Sequence, residues 1–481
     1  MAKLRHLYAM PNDQPTSFID RTLSNLRQAW SGLSDSTRYM ITGLPRPELP
    51  DEDLERVHQQ MEDCLTVRSD EVSVRARAAG LGRTYLALDP TGQLRFLKLL
   101  AENYGVDREE VDQAMDGVRS AKDDSARTKA EAILRRTLEP RWRRLLKRFT
   151  TLPEGVKFLV DMRVVMLEHA RSEPAIKALS DDLQDMLSAW FDVGLLELKQ
   201  ITWESPAAIL EKLIAYEAVH EIRSWDDLKN RLDSDRRCFA YFHPAMPDEP
   251  LIFVEVALLP DMAANVHDIL DADAPKGDVS AATAAIFYSI SNAQKGLVGI
   301  SFGNFLIKRV VEVLQHDFPN LKKFATLSPI PGLAKWSAKT LEENGFELTN
   351  TERKALAQIV DGETDGALLA DALRRPKWFE DENLSAALKG PVTRLAARYL
   401  YSERRPDGKA KDPVAHFHLS NGARMERLNW LGDTSTKGLA QAHGMMINYL
   451  YRLSDIESNS GAYSASGKIA VSSSMKPLVR D

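Results

Sequence analysis

The chain has 481 residues, 44% of them apolar, and its 63 Lys+Arg against 69 Asp+Glu leave a net charge of −6. That length predicts two or three domains with ample core, and the charge balance gives no reason to invoke nucleic acid or an anionic membrane as partner. Two distant cysteines, Cys64 and Cys238, exclude a disulfide framework and fit a reducing compartment. No apolar run approaches the roughly 20 residues that span a bilayer. The first residues show no secretory h-region and the closing "KPLVRD" is no peroxisomal address, so the expected location is the cytoplasm.

The first 190 residues read as a helical bundle. "SFIDRTLSNLRQAWSGL", "AEAILRRTLEPRWRRLLKRF", "GVKFLVDMRVVMLEHA" and "LSDDLQDMLSAWFDVG" place apolar residues three and four apart, with charges on the other faces. The basic run at Arg141, Arg143 and Arg144 surrounds Trp142, Leu145, Leu146 and Phe149, which predicts a solvated helix face rather than a nucleic-acid patch. After Gly194 the texture becomes mixed. "LLELKQITW" reads as a strand, and "RCFAYFHPAMPDEPLIFVEVALL" as strand, Pro-rich turn, strand. "AAIFYSISN", "GLVGISF" and "FATLSPI" read as further strands, and residues 338–405 as helices. "VAHFHLSNGARMERLNWL" reads as a strand meeting a turn, and "STKGLAQAHGMMINYLYRL" as a closing helix. The expected organisation is a helical domain over 1–193, a catalytic domain over 194–455 and a Ser/Gly-rich mobile tail over 456–481.

Three segments invite chemistry. In residues 294–315 an apolar strand, Val298–Phe302, meets a Gly303-Asn304 turn and a helix. Strand, glycine turn and helix N-terminus would leave amides free to hold a phosphate, with Lys308 and Arg309 one turn in. Neither GxGxxG nor GxxxxGK[ST] is present, so the NAD and ATP readings lack support. His416 and His418 in "AHFHLSN" would face one side of a strand, without the extra ligands zinc requires. His243 sits at the Pro-rich turn. Ser328, in "ATLSPIPG", ends an extended segment stiffened by Pro329 and Pro331. With no G-x-S-x-G and no N–H on Pro329 for an oxyanion hole, an orienting hydroxyl is expected there rather than a nucleophile.

The strings "HPAMPDEPLIFVEVALL", "AAIFYSISNAQKGLVGISFGNFLIKRVV", "TLSPIPG", "HFHLSNGA" and "LNWLGDTSTKGL…GMMINYLYRL" resemble the malonyl-CoA decarboxylases, in that family's order and spacing. The resemblance implies an α+β chain: an N-terminal all-helical domain followed by a C-terminal α/β domain of the acetyltransferase (GNAT) fold. It implies conversion of malonyl-CoA to acetyl-CoA and CO₂ with no metal or organic cofactor, in a homo-oligomer, tetramer or dimer. It places CoA at Val298, Gly299, Ile300, Ser301, Phe302, Gly303 and Asn304, and catalysis at Ser328 and His418. Asn421, Asp433 and Tyr449 fall in matching strings as supporting candidates, and His243 as a pocket candidate. Ser301 stands where animal members carry a glutamate, so no role for that carboxylate is carried over. His418 is the expected proton donor because its ordinary pKa lies near neutrality. Ser328 would align the malonyl group, with proton acceptance as a second family-implied role. A GNAT acyl-CoA-dependent acyltransferase is the competing reading.

Overall fold

In the computed structural model, described residues are 44–66, 71–300 and 305–479, with Leu26, Gln28 and Trp30. Contacts divide the chain into two compact units: Met1–Asp192 with His243–Pro247 and Gln294–Ser301, and Val193–Phe242, Asp248–Ala293 and Phe302–Asp481. A boundary drawn at residue 193 alone therefore missed two short segments that pack with the helical unit. Among the described residues no helix is long and apolar enough to cross a membrane.

The first unit is helical, as its periodicity predicts, from Asp51–Leu65 to Pro174–Trp190. Local chemistry sets the helix ends: Asp89 accepts from Gly92 N ahead of Pro90 at the first helical position. Its core is aromatic, with Phe158 meeting Trp30 at 4.9 Å, Phe149 at 4.9 Å and Tyr85 at 5.6 Å between ring centroids. The Arg141–Phe149 helix buries Trp142, Leu145, Leu146 and Phe149. Arg141 pairs with Glu62 and Arg143 with Asp182, so these cations serve intramolecular contacts. "SFIDRTLSNLRQAWSGL" lies largely outside the described residues.

The second unit is built on one sheet, in the order β1 (Glu197–Ile201), β2 (Arg236–Phe242), β3 (Ile252–Leu259), β4 (Ala284–Asn292), β5 (Lys323–Thr326), β8 (Met446–Tyr451), β6 (Ser328–Pro329), with β7 (Arg424–Asn429) on β8. All pairings are antiparallel except β4 with β5. The helix Phe305–Asp317 makes that parallel connection, burying Ile307, Val310, Val311 and Leu314.

Four expectations are corrected. "AHFHLS" is not a strand: Pro413–Ser420 is a helix, started by Pro413 and by Asp412, whose side chain accepts from Val414 N and Ala415 N. "MMINYLYRL" does not continue a helix. The Thr436–Ala442 helix stops at His443 and Gly444, both at positive φ (52° and 75°), and β8 follows. An apolar run suits either a buried helix or a buried strand, and here Ile447, Tyr449 and Tyr451 favour the strand. "GLVGISF" is not a strand over its described part: Lys295–Leu297 is a 3-10 turn, and Ile300 N bonds Leu297 O at 3.0 Å across Gly299, φ 85°. The segment 456–481 is not a mobile tail over its described part. Ile456–Ser466 is a helix with Tyr463 buried, and Met425 exchanges bonds with Ala470 O and Ser472 N at 2.9 Å each.

Candidate active site

Ser328 and His418 are ninety residues apart in sequence, and the fold brings Ser328 Oγ to 3.1 Å from His418 Nε2. Ser328 lies on β6, which Pro329 ends because it has no N–H to extend the ladder. Gly332 lets the turn close: a Cβ there would sit 2.0 Å from the Tyr399 hydroxyl oxygen. His418 projects from the 413–420 helix, whose start Asp412 and Pro413 fix. Both side chains are buried, 5% and 3% exposed.

The surroundings of the imidazole define its chemistry. Its ring stacks on Tyr449 at 4.7 Å and 26°, and Nδ1 lies 2.8 Å from the Tyr451 hydroxyl. Ser328 Oγ donates to Thr326 Oγ1 at 2.8 Å, and Thr326 Oγ1 also accepts from Tyr449 N at 3.1 Å. Burial holds the His418 pKa down at about 3. The imidazole is therefore neutral at pH 7, well away from the near-neutral ordinary value for which His418 was expected as the donor. The Nε2–Ser328 and Nδ1–Tyr451 contacts each take either donor, according to which ring nitrogen carries the proton.

The other predicted residues separate. His416 does not share the face of His418, because residues two apart on a helix diverge by about 200°. Its Nδ1 meets Tyr463 OH at 2.9 Å instead. Tyr449 joins the pair by stacking, and its buried hydroxyl has no hydrogen-bond partner among the described residues. Asn421 closes the 413–420 helix, donating from Nδ2 to Phe417 O at 2.7 Å. Asp433 accepts from Ser435 N at 2.9 Å and lines a cavity of about 200 Å³ with Pro329, Val414, Lys437 and Met446. His243 belongs to the first unit, where its ring packs on Phe191 at 4.7 Å and Nδ1 accepts from Ala245 N.

Of the expected CoA cradle, Ser301, Phe302, Gly303 and Asn304 lie outside the described residues. Val298, Gly299 and Ile300 form a turn that buried Arg163 holds by donating to Gly296 O at 2.6 Å and Val298 O at 2.8 Å. Those bonds draw the carbonyls away from any strand ladder. Lys308 pairs with Glu457 and Arg309 with Glu312 at the surface, contacts of small energetic weight.

Two residues of the constellation were missed from sequence. Tyr451 follows Tyr449 by two, so both share a face once the segment is a strand. Thr326 precedes Ser328 by two in an extended segment and shares its face for the same reason.

Comparison with known proteins gives one consistent family. The model of the malonyl-CoA decarboxylase C-terminal domain matches residues 194–481, and that of the N-terminal domain residues 104–191. The mitochondrial malonyl-CoA decarboxylase of Anser anser anser is 40% identical over 420 residues, 84% of this chain and 83% of the relative. That of Rattus norvegicus is 36% identical over 465 residues, 93% and 91% of the two chains. The crystal structure of malonyl-CoA decarboxylase from Rhodopseudomonas palustris superposes with a TM-score of 0.80 at 43% identity, covering 88% of this chain and 99% of that one. The Agrobacterium vitis structure gives 0.79 at 42%, covering 89% and 100%. Matched along both its helical and its sheet-bearing parts, the chain belongs to the malonyl-CoA decarboxylase family.

Proposed function

We propose that this chain decarboxylates malonyl-CoA to acetyl-CoA and CO₂, with His418 as proton donor and Ser328 as the group that aligns the malonyl moiety. The observation that carries the assignment is the buried 3.1 Å approach of Ser328 Oγ to His418 Nε2. Loss of CO₂ pushes an electron pair from the breaking C–C bond into the thioester carbonyl, giving an enolate. The thioester accepts those electrons itself, so the proposed reaction uses no metal or organic cofactor.

The site must keep the departing carboxylate poorly solvated and deliver one proton to C2. Burial of the pair suits the first requirement. For the second, the neutral Nε2–H is the donor, since the enolate carbon is a far stronger base than imidazole's conjugate anion. The Tyr451 hydroxyl, 2.8 Å from Nδ1, donates to Nδ1 as Nε2 loses its proton. Once product leaves, a proton from solvent enters at Nε2 and the Nδ1 proton returns to Tyr451, which restores the starting tautomer and consumes one proton per turnover. Ser328 turns its hydroxyl from Thr326 to the malonyl carboxylate or thioester oxygen and fixes its rotation, so that the breaking bond lies parallel to the carbonyl π system.

The fold of the second unit is proposed to be GNAT-like. The antiparallel run β1–β4, the Phe305–Asp317 crossover and the parallel β4–β5 pair support that reading. Residues 298–304 are the proposed contact with CoA phosphates, and a homo-oligomer, dimer or tetramer, is the proposed assembly. Both cysteines are buried free thiols, which supports a reducing compartment such as the cytoplasm. Incubation with malonyl-CoA alone tests the assignment. Equal amounts of CO₂ and acetyl-CoA without any acceptor support it. Dependence on an added amine or alcohol would instead make the chain an acyltransferase, and release of free CoA thiol a thioesterase.

A further inference from the structure

We infer that Thr326 is a positioning residue for this reaction, because it sets the direction of the hydrogen-bond chain that ends on the His418 acid. The inference rests on the Ser328–His418 assignment proposed above.

The β5–β8 and β6–β8 pairings are one antiparallel ladder interrupted in the middle. Phe324 faces Tyr451 and Ala325 faces Leu450. Ser328 then faces Ile447 and Pro329 faces Met446, in the same register. At Thr326 and Leu327 the backbone rungs are missing, and Leu327 N turns to Phe287 O of β4 at 3.0 Å. Side chains fill the gap. Thr326 Oγ1 takes the Tyr449 N–H at 3.1 Å, and Asn448 Nδ2 donates to Thr326 O at 2.7 Å. Asn448 is itself fixed by Asn429 Nδ2 at 2.9 Å on its Oδ1. Thr326 and Asn448 are wholly buried, so the hydroxyl that replaces a rung is rigid and dry.

That hydroxyl is the acceptor for the single Ser328 proton, at 2.8 Å. A serine hydroxyl next to a neutral imidazole otherwise has two arrangements open to it. It can donate to Nε2, leaving the ring proton on Nδ1, or accept from an Nε2–H. By drawing the Ser328 proton away, Thr326 selects the second. The chain then runs in one direction, from Tyr451 O–H to Nδ1, from Nε2–H to Ser328 Oγ, and from Ser328 O–H to Thr326. The acid proton rests on the nitrogen beside Ser328 before substrate arrives. When the serine proton turns to the malonyl group it still does not face His418, so Nε2 keeps its proton until C2 takes it.

Valine in place of Thr326 keeps the branched shape and deletes the acceptor. Serine restores the hydroxyl. The test is nitrogen-15 NMR of histidine-labelled full-length protein, with His418 assigned by its loss in His418→Asn, read beside steady-state kinetics. The wild type and Thr326→Ser are expected to show protonated Nε2 and unprotonated Nδ1. Thr326→Val is expected to move the proton toward Nδ1 and to lower kcat about tenfold, with KM within about twofold. A Thr326→Val protein that keeps the Nε2–H tautomer, or keeps kcat within about twofold, overturns the inference. Should the valine variant not fold, Thr326→Ser and the wild type still decide: an Nδ1–H tautomer in either is incompatible with it. Full turnover in Ser328→Ala and His418→Asn would instead remove the underlying assignment, so the two failures are distinguishable.

Discussion

Raising the pH from 7 to 9 separates two ways in which His418 could supply a proton. With its pKa held at about 3 by burial, about one imidazole in 10⁴ is protonated at pH 7, and each further unit removes nine-tenths of those. An imidazolium acid would therefore make kcat/KM fall about 100-fold between pH 7 and 9. The neutral Nε2–H donor does not titrate there, and kcat/KM is expected to change by less than about threefold. The assay is the initial rate of CO₂ release at subsaturating malonyl-CoA in overlapping buffers. The window lies above the second phosphate pKa of about 6, so the CoA phosphomonoester contributes no slope. A unit negative slope of log(kcat/KM) against pH would refute the neutral-donor reasoning.

Tyr451→Phe deletes the hydroxyl 2.8 Å from Nδ1 and leaves a buried acceptor unpaired, a penalty of about 1–3 kcal/mol. Turnover is expected to fall by a factor of about 5 to 150 with KM nearly unchanged, and a kcat within twofold of wild type would remove Tyr451 from the relay. His220, His418 and His443 are all held below their ordinary pKa by burial, at about 4, 3 and 4. A folded pKa below the unfolded one means that unfolding binds a proton between the two values. The histidine contribution to stability is then complete above about pH 6.5 and declines toward pH 4, by about 1.4 kcal/mol per pH unit for each histidine. Glu255, raised to about 8 by burial and by Glu217, has the opposite sign and offsets about one of the three. Replacing His443, whose φ is 52°, by asparagine keeps the left-handed cap. It is expected to flatten the fall of Tm between pH 7 and 5, and an unchanged fall would show that His443 is not buried neutral.

The legible parts of this chain were those in which periodicity and chemistry agree. The helices of the first unit, β1 to β4 and the strand end at Ser328 follow from apolar spacing and from two prolines. Where pattern and punctuation disagree, pattern misled. "AHFHLS" alternates like a strand, yet Asp412-Pro413 is a helix start, and that start moved His416 off the face of His418. "GMMINYLYRL" is apolar throughout, and only Gly444 and the β-prone residues mark the strand that carries Tyr449 and Tyr451. The pKa of His418 was out of reach from sequence, because it depends on aromatic rings from β8 closing over an imidazole from a different segment. Thr326 acquires meaning only from the gap in the β5–β8 ladder, a tertiary feature that no spacing encodes.

Rapid-quench single-turnover decarboxylation by the wild type, Ser328→Ala and His418→Asn, beside CoA binding by calorimetry, tests the central claim most directly. The account predicts that both variants bind CoA within about threefold of wild type while the chemical step slows by a factor on the order of 10² or more. A chemical step of wild-type speed in His418→Asn would contradict it.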